Sequence, residues 1–297
     1  MNENETPFDF YAETTRIIIE QLEKGIVPWE RCWKYEQLPR NFRTKERYEN
    51  VNLLLLAHLN YESPYYIAED ELPFVHAEPF KGEAPHLILF IRQEQKSDNS
   101  TEVWFQYQRV YNVEQCFGIS IVELEVPASP KDPIKTCCRI IENFKSMPAI
   151  KHQPWDYQYD DQVDGRPNET YNADEDTIVI PEPHEYVPEG YYYVLFHLLI
   201  HATGHASRLN RKAIVDKLTL ETEGAAYEQE QIIAAMGRTY LQAHTHIMRE
   251  YTAEDTYPYI KQQWVTHFRS NKQYFLEATV DAQRAFDYIT NFHLKPE

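Results

Sequence analysis

Glycine is scarce in this 297-residue chain, with only 8, while proline is plentiful at 18. Few positions can adopt left-handed backbone freely, and prolines mark the ends of elements. Long apolar runs are missing. None reaches the roughly 18 residues that a membrane-spanning helix needs, so no membrane partner is expected. Cysteine is limited to Cys32, Cys116, Cys137 and Cys138. Their spacing matches neither a zinc ribbon nor a disulfide framework, so buried or free thiols in a reducing compartment are expected. Positive charge is in deficit: 29 Lys and Arg stand against 47 Asp and Glu, a formal net charge of -18. That argues against broad nonspecific nucleic-acid binding and leaves room for a local basic site. The opening "MNENETPFDF" has neither a positive n-region nor an apolar h-region. A cytoplasmic protein without a signal peptide is the expectation.

A hydrophobic fraction of 42% supports packed cores, and the length suits one large domain or two ordinary ones. "FYAETTRIIIEQLEKG" reads as an amphipathic helix stopped at Gly25. "LLLLAHL" reads as a buried helix, ended by "SPYYI". "HLILFIRQ" and "EVWFQYQRVYNV", separated by the turn "KSDNST", read as a hairpin, and "ISIVELEV" as a further strand. The segment "PASPKDP" marks a domain boundary. After it come a helix, "IKTCCRIIENFKSM", and an acidic stretch in which residues 156–189 hold eleven Asp and Glu against Arg166 alone. The strand "DTIVIP" lies within that stretch. Helices follow: one around "HLLIH", one at "YEQEQIIAAMGRTYLQAHTHIM", and one or two more beyond. The fold class is α+β, with a strand-containing first part and a mainly helical second part.

The stretch "YYYVLFHLLIHATGHASRLN" carries the sharpest signal. His197 and His201 stand at i and i+4, so their rings can converge on one ion from one helical face. In zinc peptidases of this pattern a glutamate follows the first histidine and acts as the base. Here that residue is Leu198, which cannot take a proton. His205 lies two turns past His197, beyond the helix stop expected at Gly204, and Ser207 stands where a third histidine ligand of the +10 type would be. A third ligand would have to come from the helix "YEQEQIIAAMG".

These residues sit among a series of ordered matches to one family. The N-terminal matches are "IIEQLEKGIVPWERCW", "PRNFRTKERYENVNLLLL" and "SPYYI"; the C-terminal ones are "YNADEDTIVIPEP", "FHLLIHATGHASRLNR", "QIIAAMGRTYL" and "AQRAFDYI". The chain resembles, nearly end to end, the ArdC antirestriction proteins of plasmids, phages and other mobile elements. The resemblance implies a single-stranded-DNA-binding domain at about 1–126 and a zincin-like metallopeptidase domain at about 134–297. The family pattern is close to HELTHxTGHxSRLNR. Both histidines, Thr203, Gly204, His205, Arg208 and Asn210 are kept, and Leu198 replaces the glutamate. The later family helix, close to EELVAE, aligns with residues 230–235. Gln231 then takes the implied ligand position, and Ala235 takes the place of an acid that could orient a histidine. The resemblance therefore implies a catalytically dead zincin domain with no catalytic residues. The metal set it leaves is His197, His201 and Glu230, the last one position out of register; no cofactor is expected, and zinc is the one the pattern admits.

The densest basic cluster lies at residues 31–47: Arg31, Lys34, Arg40, Arg43, Lys45 and Arg47, interleaved with Trp33, Tyr48 and other aromatics. Cations on phosphates and aromatics under bases are how single strands are held, so these eight are the candidate DNA-binding residues. The family's basic segment after "SPYYI" is replaced by "AEDELPFVHAEPFKGEAPH", and residues 1–125 hold 12 basic against 22 acidic side chains. Any DNA binding is expected to be modest and salt-sensitive. The expected function is an antirestriction or anti-defence binding protein of a mobile element or its host, with single-stranded DNA or a host defence protein as partner. Two alternatives stand beside it: a zinc metallopeptidase with non-standard ligands, and an acidic DNA mimic that inhibits a host nuclease.

Overall fold

The computed structural model describes residues 8–30, 35–95, 101–120, 132–154, 169–216, 225–247 and 258–291. The chain divides into two compact units. The first takes residues 1–128 and 256–276, the second residues 129–255 and 277–297.

In the first unit, α1 (Phe10–Glu23) starts where Asp9 accepts from the Ala12 amide, and Gly25 beyond its end sits at φ 78°. The side-chain cap and the left-handed glycine are the two signals that define a helix at each end. Four strands form one sheet in the order β1-β2-β5-β4, from β1 (Arg40–Asn41), β2 (Tyr65–Ala68), β4 (His86–Gln95) and β5 (Thr101–Asn112). The expected hairpin is present, antiparallel and paired from His86↔Val110 to Gln95↔Thr101. A second, small sheet pairs β3 (Glu78–Pro79) with β6 (Cys116–Phe117). Every residue of β2 is buried. Tyr66 and Ala68 pack with Leu56, Ile88 and Val110, and Ile67 packs with Leu72, Ala77 and Tyr111 on the other face. The edge strand β4 is covered by α2 (Asn50–Leu56): the Asn52 amide donates to the Leu89 carbonyl and accepts from its N–H. That pairing occupies an edge that would otherwise recruit another chain.

The second unit is mainly helical. Its three-stranded sheet has the order β7-β9-β8, with β9 (Thr177–Ile180) parallel to β7 (Ala149–His152) and antiparallel to β8 (Thr170–Asn172). Around it lie α3 (Pro133–Asn143), α4 (Pro188–Thr203), the single turn α5 (Lys212–Val215), α6 (Ala225–Thr245) and most of α8 (Tyr274–Thr290). "DTIVIP" is a strand as expected, whereas β7 and β8 are too short and too exposed to show an alternating pattern. Most of "ISIVELEV" and of "PASPKDP" lies outside the described residues.

One helix departs from the order expected along the chain. The boundaries 1–126 and 134–297 assign α7 (Pro258–Ser270) to the second part, but α7 packs in the first unit. Trp264 meets Trp29 edge to face at 5.2 Å between ring centroids, and Phe268 meets the same ring at 6.2 Å. Just past the helix, the Lys272 carbonyl accepts from the Thr15 hydroxyl at 2.8 Å. Arg269–Glu23 and Lys272–Asp9 pairs lie on the surface of the same contact. No period in the sequence signals a contact at such separation. Trp29 is almost wholly buried, and part of that burial depends on α7. Trp264→Ala is expected to destabilise the first unit by about 3–5 kcal/mol in denaturant titration, as loss of a buried aromatic does. A fragment of residues 1–128 should lack a cooperative transition; sharp, native-like unfolding of that fragment would contradict the assignment.

Candidate functional site

Helix α4 begins at Pro188, whose missing N–H is no loss at the first helical position, and ends at Gly204. Its middle is apolar on every side, which makes it a core helix rather than a surface one. Leu195, Phe196, Leu198, Leu199 and Ile200 are buried. It packs against α6 so closely that a Cβ on Gly237 would stand 2.6 Å from Ile200 Cδ1. Leu198, at the position where the family pattern has its base, is only 4% exposed. It is part of that packing.

His197 and His201 project from α4 with their Nε2 atoms 3.2 Å apart. The other ring nitrogen of His201, Nδ1, stands 3.1 Å from Glu230 Oε1 on α6. Glu230 has no exposed surface. Its charge is met by Arg211: Nη2 donates to Oε1 at 2.6 Å and Nε to Oε2 at 3.0 Å. Burial alone would raise the Glu230 pKa, but the Arg211 charge and the hydrogen bonds from His201 and Arg211 hold it below the ordinary value. Glu230 is therefore a carboxylate, and His201 donates to it through Nδ1. Its Nε2 faces the His197 Nε2 at hydrogen-bond distance.

The surroundings of His197 differ. Burial, followed by the neighbouring His201 and Arg238, pushes its pKa well below the usual imidazole value, so the ring is neutral. The Gln231 side chain reaches it. Its Nδ1 is buried without a hydrogen-bond partner. Ala235, also buried, stands where the family pattern has an acid that could accept from a histidine ring.

The arginines of "SRLNR" build the frame. Arg211 crosses the end of α4, donating to the Thr203 hydroxyl and the Ile200 carbonyl at 2.7 Å each. It satisfies acceptors that a helix end leaves open. A Cβ on Gly204 would lie 3.0 Å from Arg211 Nη2 and 2.6 Å from Ile214 Cγ1, so only glycine fits beneath it. Arg208 donates to the Ala202 carbonyl at 2.7 Å and to Asp176 Oδ2 at 2.9 Å, and also bonds Asp176 Oδ1. Asp176 forms the turn between β8 and β9 and accepts from the Tyr171 hydroxyl at 2.8 Å. Arg208 thus fastens the hairpin to the end of α4.

A zinc ion held tetrahedrally by two imidazoles at ~2.0–2.1 Å sets the nitrogens about 3.3 Å apart, so the His197–His201 spacing admits one. The rest of the set does not fit a hydrolytic centre. Glu230, the third ligand expected from sequence, is turned to the far nitrogen of His201 and to Arg211, so it orients a ring instead of facing the gap. Gln231 offers only a neutral amide. Among the described residues no group of three or more His, Cys, Asp or Glu could hold a metal ion.

The expected DNA-binding residues are dispersed in role. Arg40 is buried in β1, with Nη1 donating to the Lys45 carbonyl at 3.2 Å. Arg47 is half-buried and pairs with Glu49 at 3.4 Å. Tyr48 is half-buried, accepts from Asn41 and packs edge-on against Tyr66. Arg43, paired with Glu71 at 3.2 Å, and Lys45, whose ammonium lies 4.4 Å from the Phe42 ring centre, remain exposed. Arg31, Trp33 and Lys34 lie outside the described residues. Residues not singled out in the sequence stand open on the hairpin: Phe90, Trp104 and Tyr107, with Arg92 5.9 Å from the Phe90 ring centre. By the register Phe90, Arg92 and Trp104 share one face of the hairpin, while Tyr107, opposite Leu89, lies on the other and packs against Phe8 at 4.6 Å between ring centroids.

Two outcomes follow from the frame. Arg211→Ala leaves Glu230 buried and uncompensated, and should lower stability by about 3–5 kcal/mol in chemical unfolding. Asp176 has its pKa lowered chiefly by its hydrogen bond from Arg208. The unfolded chain, with an ordinary carboxylate near 3.9, then binds the proton first. The contribution is full above that value and is lost as pH falls through the lower, folded one. An acid titration followed by circular dichroism should show this loss in the natural chain and a shallower one in Asp176→Asn.

Comparison with known proteins agrees with this geometry. Residues 8–115 match the N-terminal domain of the anti-restriction factor ArdC, and residues 160–281 match a zincin-like metallopeptidase. The metal-free crystal structure of the antirestriction ArdC protein from plasmid R388 has a TM-score of 0.66 at 22% identity. The match covers 96% of this chain and 100% of that one. The Mn(II)-bound structure of the same protein gives 0.66 at 21%, over 96% and 98% of the two chains. A DNA primase TraC of Escherichia coli is 22% identical over 315 residues, 96% of this chain and 27% of the primase, so this chain spans about a quarter of that relative. The protein y4eC of Sinorhizobium fredii (strain NBRC 101917 / NGR234) is 24% identical, over 96% of this chain and 92% of its own length. With the ArdC N-terminal domain in its first part, a zincin-like domain in its second and the ArdC fold across both, the chain belongs to the ArdC-like family.

Proposed function

We propose that this protein is an antirestriction-type binding protein that contacts single-stranded DNA through its first unit and carries a zincin domain without hydrolytic activity. The observation that carries the second half is Leu198. A buried aliphatic side chain stands at the position of the base, and leucine cannot take a proton from water. The absence of a third strong donor points the same way. Family membership supports the antirestriction role, and the primase relatives support a nucleic-acid partner.

The first unit offers the surface such a partner needs. Single strands are held by cations along the backbone and by aromatic rings under bases, with stacking worth roughly 1–3 kcal/mol per base. Phe90 and Trp104 are exposed on one face of the hairpin, and Arg43 and Lys45 on the loop. In the second unit, the exposed large hydrophobics among the described residues are Val187 and Val215, neither aromatic. A host defence protein remains the second partner of this reading, and the excess of Asp and Glu in the sequence would favour a basic one.

Mobility shift with labelled single strands in low salt tests the DNA half. A shift is expected that disappears as salt rises. Arg43→Ala with Lys45→Ala should weaken it and reduce the salt slope by about 0.7 for each phosphate that the two cations neutralise. Trp104→Ala should weaken it about fivefold or more without changing that slope. Absence of any shift from the intact chain would refute DNA binding. Peptide cleavage by the metal-loaded natural protein would refute the non-hydrolytic half.

A further inference from the structure

We propose that the cavity between α1, α2 and the root of the β4–β5 hairpin is a docking site for a basic protein segment, which lodges one large apolar side chain in it. This rests on the reading that a host protein is the second partner, and it gives that partner a site and a chemistry.

The cavity lies wholly within the first unit and measures about 580 Å³, inside the roughly 300–1,000 Å³ range of ligand sites. Much of its wall is apolar. Leu55 near the end of α2 and Leu87 in β4 are buried, and Ile17 on α1 and Leu59 just after α2 are half-buried. A large apolar side chain would leave water on such a wall, the kind of contact that anchors an interface. Two imidazoles complete the lining, and both are tied back. His58 Nδ1 stands 3.2 Å from the Leu54 carbonyl, and His86 Nε2 stands 2.9 Å from the Tyr61 hydroxyl. Burial pushes the His86 pKa down, so that ring adds no positive charge.

Charge at the rim selects what enters. Glu13, Arg16, Ile17 and Glu20 line the cavity from α1, at the spacing of one helical face. Arg16 donates to Glu13 Oε1 at 2.7 Å and is also paired with Glu20. Arg109 lies 3.8 Å from Glu69. Three carboxylates thus stand against two guanidiniums that they already neutralise. Beyond Glu69, Asp70 is exposed and accepts from the neutral Gln108 amide at 3.2 Å. The stretch 68–86, which supplies Glu69, Pro85 and His86 to the cavity, holds five Asp and Glu against Lys81. A phosphate backbone would meet this rim with like charge, whereas the lysines and arginines of a protein would meet it with opposite charge.

The cavity is also separate from the aromatic face proposed for DNA. Leu87 pairs with Arg109 and Phe90 with Gln106, and the odd offset between them puts the two pairs on opposite faces of the hairpin. A strand held on one face leaves the cavity open.

The test uses the full chain and three labelled peptides, followed by fluorescence anisotropy. One is arginine-rich with a central tryptophan, the second has glycine in place of the tryptophan, and the third is glutamate-rich and keeps the tryptophan. The first should bind, and added salt should weaken it. The glycine peptide should bind about tenfold more weakly, and the glutamate peptide not at all. Ile17→Trp, which fills the cavity from α1, should cost the tryptophan peptide about the same factor and leave the glycine peptide unchanged. Glu20→Gln with Glu69→Gln should weaken both basic peptides more than Glu142→Gln with Glu182→Gln, an equal change of charge in the second unit. Equal binding of the tryptophan and glycine peptides by the natural chain would overturn the inference, whether or not Ile17→Trp folds, and would leave the host-protein reading standing. No binding of either basic peptide would overturn both. Loss of oligothymidylate binding in Ile17→Trp, with native circular dichroism, would overturn the inference in favour of nucleic acid in the cavity.

Discussion

Much of the second unit depends on one buried ion pair, Arg211 with Glu230. Taking two charges out of water is costly unless every lone pair and proton finds a partner. Here the guanidinium also closes the open carbonyl end of α4 and bonds Thr203, while the carboxylate also takes His201. The pair therefore fixes three things together: the path of the loop after α4, the seat of α6 against α4, and the direction of an imidazole. Gly204 leaves the room that Ile214 and the arginine occupy, a Cβ there standing 2.6 Å from Ile214 Cγ1.

Seen from that pair, the family motif separates into a frame and a chemistry. Thr203, Gly204, Arg208 and Arg211 bond backbone and side chains that hold α4, α6 and the β8–β9 hairpin together. All four are present in this chain. The positions that would act on a bound water or complete a metal shell are Leu198, Gln231 and Ala235. The bonds of the first group do not run through the second, so the frame stands with these residues in place. The surviving histidines then rest against each other, one of them braced by Glu230 and the other left with an unmatched nitrogen.

Legibility in the sequence follows the range of the interactions. Helices with capped ends and a long hairpin with a polar turn declare themselves within a dozen residues, and α1, α2, β4, β5 and α4 are all visible there in outline. The strands β7 and β8 carry three or four residues each and little apolar pattern, and they exist because β9 lies between them. The histidine pair is legible from spacing alone. The role of Glu230 is not, since one residue along a helix turns a side chain by about 100°, and only the Arg211 contact shows which way it faces. The basic cluster is only partly legible for a related reason. Composition counts Arg40 and Arg47 as cations open to phosphate, whereas the fold places one beneath the sheet edge and the other beside Glu49.

The placement of α7 has a consequence for synthesis. Ribosomes release a chain from its N-terminus at about 5–20 residues per second. Residues 1–128 emerge early, yet the helix that covers Trp29 is made only after the bulk of the second unit. The first unit to appear must therefore wait, with an aromatic face uncovered, while the second is translated.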